Sequence, residues 1–377
     1  MCRLNRLATA RASGAAAGSV PPTTTRGASV LKRILLLSAV LLCALGGGGA
    51  LALKHWLTSP IAPNGYSVRL LIEAGDGFHT VSRKLAQRGA LEHPRLLNLL
   101  ARWTGAEGRI HEGEYEIPPG ATPPELLELL HSGNTLRYFV TLPEGIQLRD
   151  AVVAVQRSEG VVTTLSDADD PRLIQLAFPD SDGIPNAEGL FLPETYQYQR
   201  GDTDLEILGA ANDLMQETLQ GLWESREPGL PYKDVYEALI MASIIEKETG
   251  LGSERPRIGG VFVRRLQKGM RLQTDPTVIY GLGAEFDGNL TRSHLRDESN
   301  AYNSYRHHGL PPTPIALPGR DAIHAALHPA PGEELYFVER GDGSHEFNAT
   351  RDGHNEAVAR LQFRRRADYR SSPVKKS

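Results

Sequence analysis

Residues 234–250 read DVYEALIMASIIEKETG. Asp234, followed three residues later by Glu237, forms a capping box, and Gly250 offers a stop. The spacing therefore predicts a helix from about Val235 to Glu248. Its middle, ALIMASII, is apolar on every face, as in a helix buried at the centre of a core. At about 100° per residue, Val235, Leu239, Ala242 and Glu246 form one stripe, while Glu248 joins Met241 and Ile244 on the opposite one. Both glutamates thus extend apolar faces at the negative end of the helix dipole, where each carboxylate costs roughly 0.3–1 kcal/mol. Desolvation and the dipole both raise a carboxyl pKa, which a general acid needs near neutral pH. Lys247 lies between the stripes. A structural ion pair with Arg255 or Arg257, which follow closely, accounts for the same pattern.

The chain around this helix has 377 residues, enough for two or three domains, with a net charge of -4 and a mixed composition that points away from a nucleic-acid partner. Residues 1–33 hold six basic residues and no acidic one. They read as a basic, low-complexity cytoplasmic tail. Residues 34–53, ILLLSAVLLCALGGGGALAL, carry no charge. At about 1.5 Å per residue they are long enough to cross a hydrocarbon core of about 30 Å. The basic residues before this span, with Lys54 alone directly after it, place the N-terminus inside and the rest of the chain outside. Ala50-Leu51-Ala52 would pass as a signal-peptidase site, but the apolar run is longer than the usual signal core of about 7–15 residues. The only cysteines, Cys2 and Cys43, lie before the exported part, which therefore has no disulfide, thiolate nucleophile or cysteine metal site.

Residues 54–65 read as a linker. SVRLLIEAG, HTVSRKLAQRG, PRLLNLLARWTG, EGEYEIPPG and TPPELLELLHSG read as strand, helix, helix, extended piece and helix, a small α/β module over 66–135. TLRYFVTLPEG reads as a strand and turn opening a connecting region, 136–186, which includes the acidic loop SDADDP. A second, mixed α+β domain is expected over 187–365, before a basic tail at 366–377.

Within that domain SERPRIGGVFVRRLQKG is an amphipathic helix. In RLQTDPTVIYGLG, Asp275-Pro276 reads as a helix cap and first turn. AYNSYRHHGLPPTPIALPG packs aromatic, amide and proline residues into a rigid loop, and ELYFVERGDGSHEFNAT reads as a hairpin. Gln273, Tyr302, Asn303, Tyr305 and Asn348 supply flat rings and amides of the kind that bind sugars, although each alone is an ordinary loop residue. The histidines show no metal-like spacing: His324 and His328 form one HxxxH without a glutamate, so neither a metal nor another cofactor is expected. G-x-S-x-G and phosphate-loop motifs are absent.

Taken in order, EGLFLPETY, ASIIEKET, RLQTDPTVIYGLG, YNSYRHHGLPPTPIALPG, LYFV and HEFN resemble the endolytic murein transglycosylases of the YceG-like family. The resemblance spans about 66–365. It implies that the small module is LysM-like and binds glycan strands. It implies cleavage of the β-1,4 bond between N-acetylmuramic acid and N-acetylglucosamine inside nascent peptidoglycan, leaving 1,6-anhydromuramic ends and terminating strand elongation. It also implies penicillin-binding synthases as partners and a single-pass location in the bacterial inner membrane, with the catalytic domain in the periplasm. The long Ala-rich basic N-terminus departs from the family pattern. Matched to the motif, the first glutamate of EKET, Glu246, takes the catalytic role. Glu248 then becomes a supporting residue paired with an arginine. Glu194, Gln273, Asp275, Tyr302, Asn303, Tyr305 and Asn348 position sugar or support the acid. Two other readings use the same residues. One is a peptidoglycan hydrolase, which needs a second carboxylate such as Asp275 or Glu194; the other is a non-catalytic peptidoglycan-binding scaffold.

Overall fold

The computed structural model describes residues 26–61, 65–177 and 184–362, so most of the expected basic tail at 1–33 and that at 366–377 lie outside the described residues. The first helix, α1 (Arg26–Thr58), contains the whole uncharged run and continues through Trp56, where a linker was expected. By length and composition, residues 32–58 could cross a membrane.

The small module comes next: β1 (Val68–Ile72), α2 (Phe78–Gln87), α3 (Pro94–Thr104), β2 (Gly113–Ile117) and α4 (Pro123–Ser132). β1 and β2 pair antiparallel, with Val68 opposite Ile117. One face of this ribbon and the buried faces of the helices enclose a core that includes Leu70, Phe78, Leu85, Leu97, Tyr115 and Leu126. Thr122 and Glu125 close a capping box on α4. Ile61 joins this core, and its N–H donates to the Ala121 carbonyl at 2.7 Å, which ties the end of α1 to the start of α4.

A second core holds the rest of the described chain. β3 (Tyr138–Thr141) pairs antiparallel with β4 (Thr195–Tyr198). α5 (Leu148–Gln156), α6 (Pro171–Ala177) and α7 (Asp204–Glu224) pack around the ribbon. The expected connecting region is therefore part of the larger core: Val140, Leu148, Val152 and Leu173 all lie in it. At its centre runs α8 (Val235–Glu248), packed chiefly on α11 (Arg320–Leu327) and α9 (Arg255–Gln267). The remaining elements are α10 (Asp275–Leu282), the hairpin β5 (Tyr336–Glu339) and β6 (His345–Asn348), and α12 (Arg351–Gln362). The mixture of helix and strand agrees with the α+β class.

Local signals explain most boundaries. Asp234 Oδ1 accepts the N–H of Glu237 at 2.9 Å, which starts α8 where the sequence places it. The reciprocal half of the box differs, because the Glu237 carboxylate takes the N–H of Lys233. The helix ends as Thr249 turns extended, without a left-handed glycine. The cap of α10 is Thr274 rather than Asp275, one residue earlier than expected.

Candidate active site

The two glutamates of EKET emerge from α8 into opposite surroundings. Glu246 is buried and both of its oxygens are engaged. Oε1 accepts from Arg255 Nη2 at 2.7 Å, and Oε2 accepts the N–H of Gly319 at 3.0 Å. The same Arg255 nitrogen donates to Glu144 Oε2 at 2.8 Å. Glu144 sits in the LPEG turn after β3, where Gly145 takes a left-handed φ of 73°. This turn is pinned to the loop before α11: Gly145 N–H donates to the Leu317 carbonyl, and Lys247 Nζ donates to the Gly145 carbonyl. Burial holds the Glu246 carboxyl above the usual carboxylate range; the Gly319 amide and then the Arg255 charge oppose this without cancelling it, and the Glu144 charge adds to it.

Glu248 has no such partner. Its Oε2 accepts the Thr274 hydroxyl at 2.8 Å, and among the described residues no hydrogen bond reaches Oε1. The residue as a whole is half-buried. Burial pushes the Glu248 carboxyl up to about 7; the Thr274 hydroxyl lowers it, nearby Asp275 raises it further, and Arg265 opposes. Arg265 does not neutralise it, because its guanidinium is directed at carbonyls, with Nε on Leu335 and Nη1 on Leu272, both at 2.6 Å.

A knot of hydroxyls fixes the surroundings of Glu248. Thr274 N–H donates to Ser304 Oγ at 3.0 Å, and Ser304 and Thr277 both bond the Thr274 carbonyl. Tyr305 donates to Asp275 Oδ1 at 2.7 Å. Just before Thr274, Gln273 is exposed and holds a φ of 52°, the one positive φ of a non-glycine residue among the described residues. Backbone strain of this kind, which costs on the order of 1–3 kcal/mol, persists where surrounding bonds impose it. Here the Gln273 N–H is held by the Ser304 carbonyl at 3.2 Å.

The ion pair with Arg255 weighed for this helix end falls on Glu246, and Glu248, expected to pair with an arginine, bonds Thr274 instead. Arg255 opens α9 and swings back over the first glutamate, so its charge reaches Glu246 and Glu144. Asp275, Tyr305 and Gln273 gather around or beside Glu248. Asn303 does not offer its amide to a sugar. It is fully buried, with Nδ2 on the His294 and Asp297 carbonyls and Oδ1 on the Tyr305 N–H, so it shapes the loop that carries Tyr305. Tyr302 stands against Tyr280, ring centroids 4.9 Å apart, and its hydroxyl meets Thr313. Glu194 is exposed on the approach to β4 and accepts the N–H of Thr195. Asn348 ends β6 at the open end of the hairpin, opposite Tyr336, and its carbonyl accepts the N–H of Leu335. Among the described residues no cluster of histidine, cysteine and carboxylate side chains could hold a metal ion.

The sequence profile of the YceG-like family matches residues 70–360, which covers the larger core, most of the small one and every residue named around Glu246 and Glu248. The chain belongs to the YceG-like family. An endolytic murein transglycosylase of Bacillus subtilis (strain 168) is 31% identical over 305 residues, covering 77% of this chain and 84% of that one. A protein of the same name from Streptococcus pneumoniae serotype 2 is 24% identical over 318 residues, 76% of this chain and 57% of the other. A solved YceG-like protein from Listeria monocytogenes aligns with a TM-score of 0.48 at 24% identity, over 78% of this chain and all of that chain.

Sequence reasoning passed over Thr274, Ser304, Glu144 and Glu188 in this YceG-like chain. Glu188 lies in EGLFLPETY, is 5% exposed, and accepts from Leu148 N–H and Tyr280 Oη. Burial pushes its carboxyl up to about 7. Its signal was the same as that of EKET, a carboxylate amid apolar residues.

Proposed function

We propose that this chain is a membrane-anchored endolytic lytic transglycosylase of peptidoglycan, held by α1 with its N-terminus inside and its catalytic domain in the periplasm. It cleaves the β-1,4 bond between N-acetylmuramic acid and N-acetylglucosamine within nascent strands, and so terminates their elongation beside penicillin-binding synthases. The names of its relatives support the substrate and the reaction. The small module, read as LysM-like, holds the strand.

The observation that carries the chemistry is a carboxyl held near neutrality with one oxygen unengaged, and that carboxyl belongs to Glu248. In a lytic transglycosylase, the C6 hydroxyl of the muramic sugar attacks C1 of the same sugar. The C1–O bond to the next sugar breaks as Glu248 gives its proton to the leaving oxygen. The new C6–O–C1 ring bond forms, and the C6 hydroxyl proton passes to Glu248, which restores the acid. No water enters and no second carboxylate is needed, in contrast to the two carboxyl groups of most glycoside hydrolases. Thr274 orients the carboxyl, and the negative charge of Asp275 helps keep it protonated. Glu246 takes a positioning role, locking the end of α8 to Arg255, the LPEG turn and Gly319.

Mass spectrometry of muropeptides released from purified glycan strands tests this assignment. Glu248→Gln should abolish anhydromuramic ends, a loss of at least a hundredfold for a general acid. Glu246→Gln should retain measurable cleavage with lowered thermal stability. Loss with Glu246→Gln alone would return the acid to Glu246. Reducing ends from the unaltered chain would make the protein a hydrolase, and intact strands would make it a scaffold.

A further inference from the structure

The small module carries an apolar stripe that its own core does not use. On α3 the buried residues Leu97 and Ala101 face inward. On nearly the opposite side Leu96, Leu99 and Trp103 are 37%, 64% and 83% exposed. At about 100° per residue these three fall within about 60° of arc, so they form one continuous ridge. Arg95 and Arg102, both exposed, flank that ridge along one edge. Large apolar side chains bordered by arginines, on a helix whose other face is anchored in a protein core, are the makings of an interfacial membrane helix.

The position of α3 relative to α1 indicates what covers the ridge. A cavity of about 620 Å³ lies between the two, lined on one side by Gly49, Ala52, Leu53 and Trp56 and on the other by Leu91 and Leu96. Leu96, the first residue of the ridge, therefore stands level with the last apolar turns of α1. The Ile61–Ala121 hydrogen bond and the packing of Trp56 against the module core hold this arrangement. A bilayer that surrounds residues 34–53 of α1 must end beside α3. Trp56 and Trp103 both suit that depth, where tryptophan is enriched.

We propose that the exposed face of α3 is a membrane-contact surface: Leu96, Leu99 and Trp103 enter the phospholipid interface beside the end of α1, and Arg95 and Arg102 meet lipid phosphates. Lipid chains fill the cavity between α1 and α3. The module is thereby held by two points, span and ridge, instead of swinging on the span alone. This inference rests on the reading of α1 as a membrane span.

The test uses the full chain with Trp56→Phe and Trp223→Phe, which leaves Trp103 as the sole tryptophan, in phospholipid nanodiscs. Retention of the chain in membranes after an alkaline wash checks the span independently. The proposal expects blue-shifted Trp103 emission, quenching by lipids brominated high on their chains, and severalfold protection from iodide. Leu96→Ser with Leu99→Ser, both at exposed positions, should restore iodide access without loss of fold by circular dichroism. A retained chain whose Trp103 emits as in water and is fully quenched by iodide would overturn the proposal and spare the span. Shielding from iodide without quenching by brominated lipid would mean that protein covers the ridge, and would also overturn it. A chain washed from the membrane would remove the span reading and the inference together.

Discussion

Glu248 and Glu188 are both raised to about 7 by burial, yet only Glu248 keeps an oxygen that no hydrogen bond reaches among the described residues. For Glu248 the consequence is a pH profile. As the proposed acid it must enter the reaction protonated, so kcat/KM for strand cleavage should fall as pH rises past about 7. Asp275→Asn removes the like charge and should move that falling limb to lower pH, as read from rates over pH 5–9. For Glu188 the consequence is stability. Its folded carboxyl holds a proton that the unfolded chain releases above about 4.5. Its contribution is therefore fully present below that value and is lost as pH rises through about 7, on the order of 3 kcal/mol in all. Glu188→Gln should flatten the slope of Tm between those two pH values. The sequence showed that a carboxyl pair ends a core helix, but not which partners each member meets. What surrounds each member is set by Arg255, by Glu144 far earlier in the chain, and by the backbone of Gly319 for Glu246, and by Thr274 for Glu248, contacts that exist only after the loops have closed on α8.

At the scale of elements, α8 was the most legible part, because cap, length and apolar run all agree with its observed span. α2, α3, α4 and the β5–β6 hairpin follow from the same kinds of signal. What periodicity did not reveal is how closely α9 and α11 approach. A Cβ added at Gly259 on α9 would stand 2.6 Å from the Ala325 carbonyl oxygen, so the helices meet backbone to backbone. Gly259→Ala should lower stability by about 1–3 kcal/mol through overpacking, measured by denaturant unfolding. The left-handed Gln273 was likewise invisible, since nothing in RLQTDPT demands it. It is imposed by Ser304, whose carbonyl holds the Gln273 N–H and whose hydroxyl holds the N–H of Thr274.

At the scale of the whole molecule, the small module and the larger core meet at a polar joint. Glu114 on β2 is buried and accepts from Tyr138 Oη and from Arg200 Nε, both at 2.6 Å; Arg200 also reaches Glu159 at 2.5 Å. Thr135 donates to Gln199 beside it. Removing the arginine leaves a buried carboxylate without its cation, a loss of about 3–5 kcal/mol at the joint. Arg200→Ala should therefore loosen the module without touching the surroundings of Glu248. Faster proteolysis near residue 135 and a broader small-angle scattering distance distribution would register the change, with cleavage of short soluble strands preserved. On the proposed reading of a membrane-anchored transglycosylase, the joint would make the molecule a gauge. A blade fixed on a stiff arm above a surface cuts at one height, whereas a blade on a hinge cuts at many. The stubs left on the membrane side of each cut would then be uniform, their length set by the thickness of one small module.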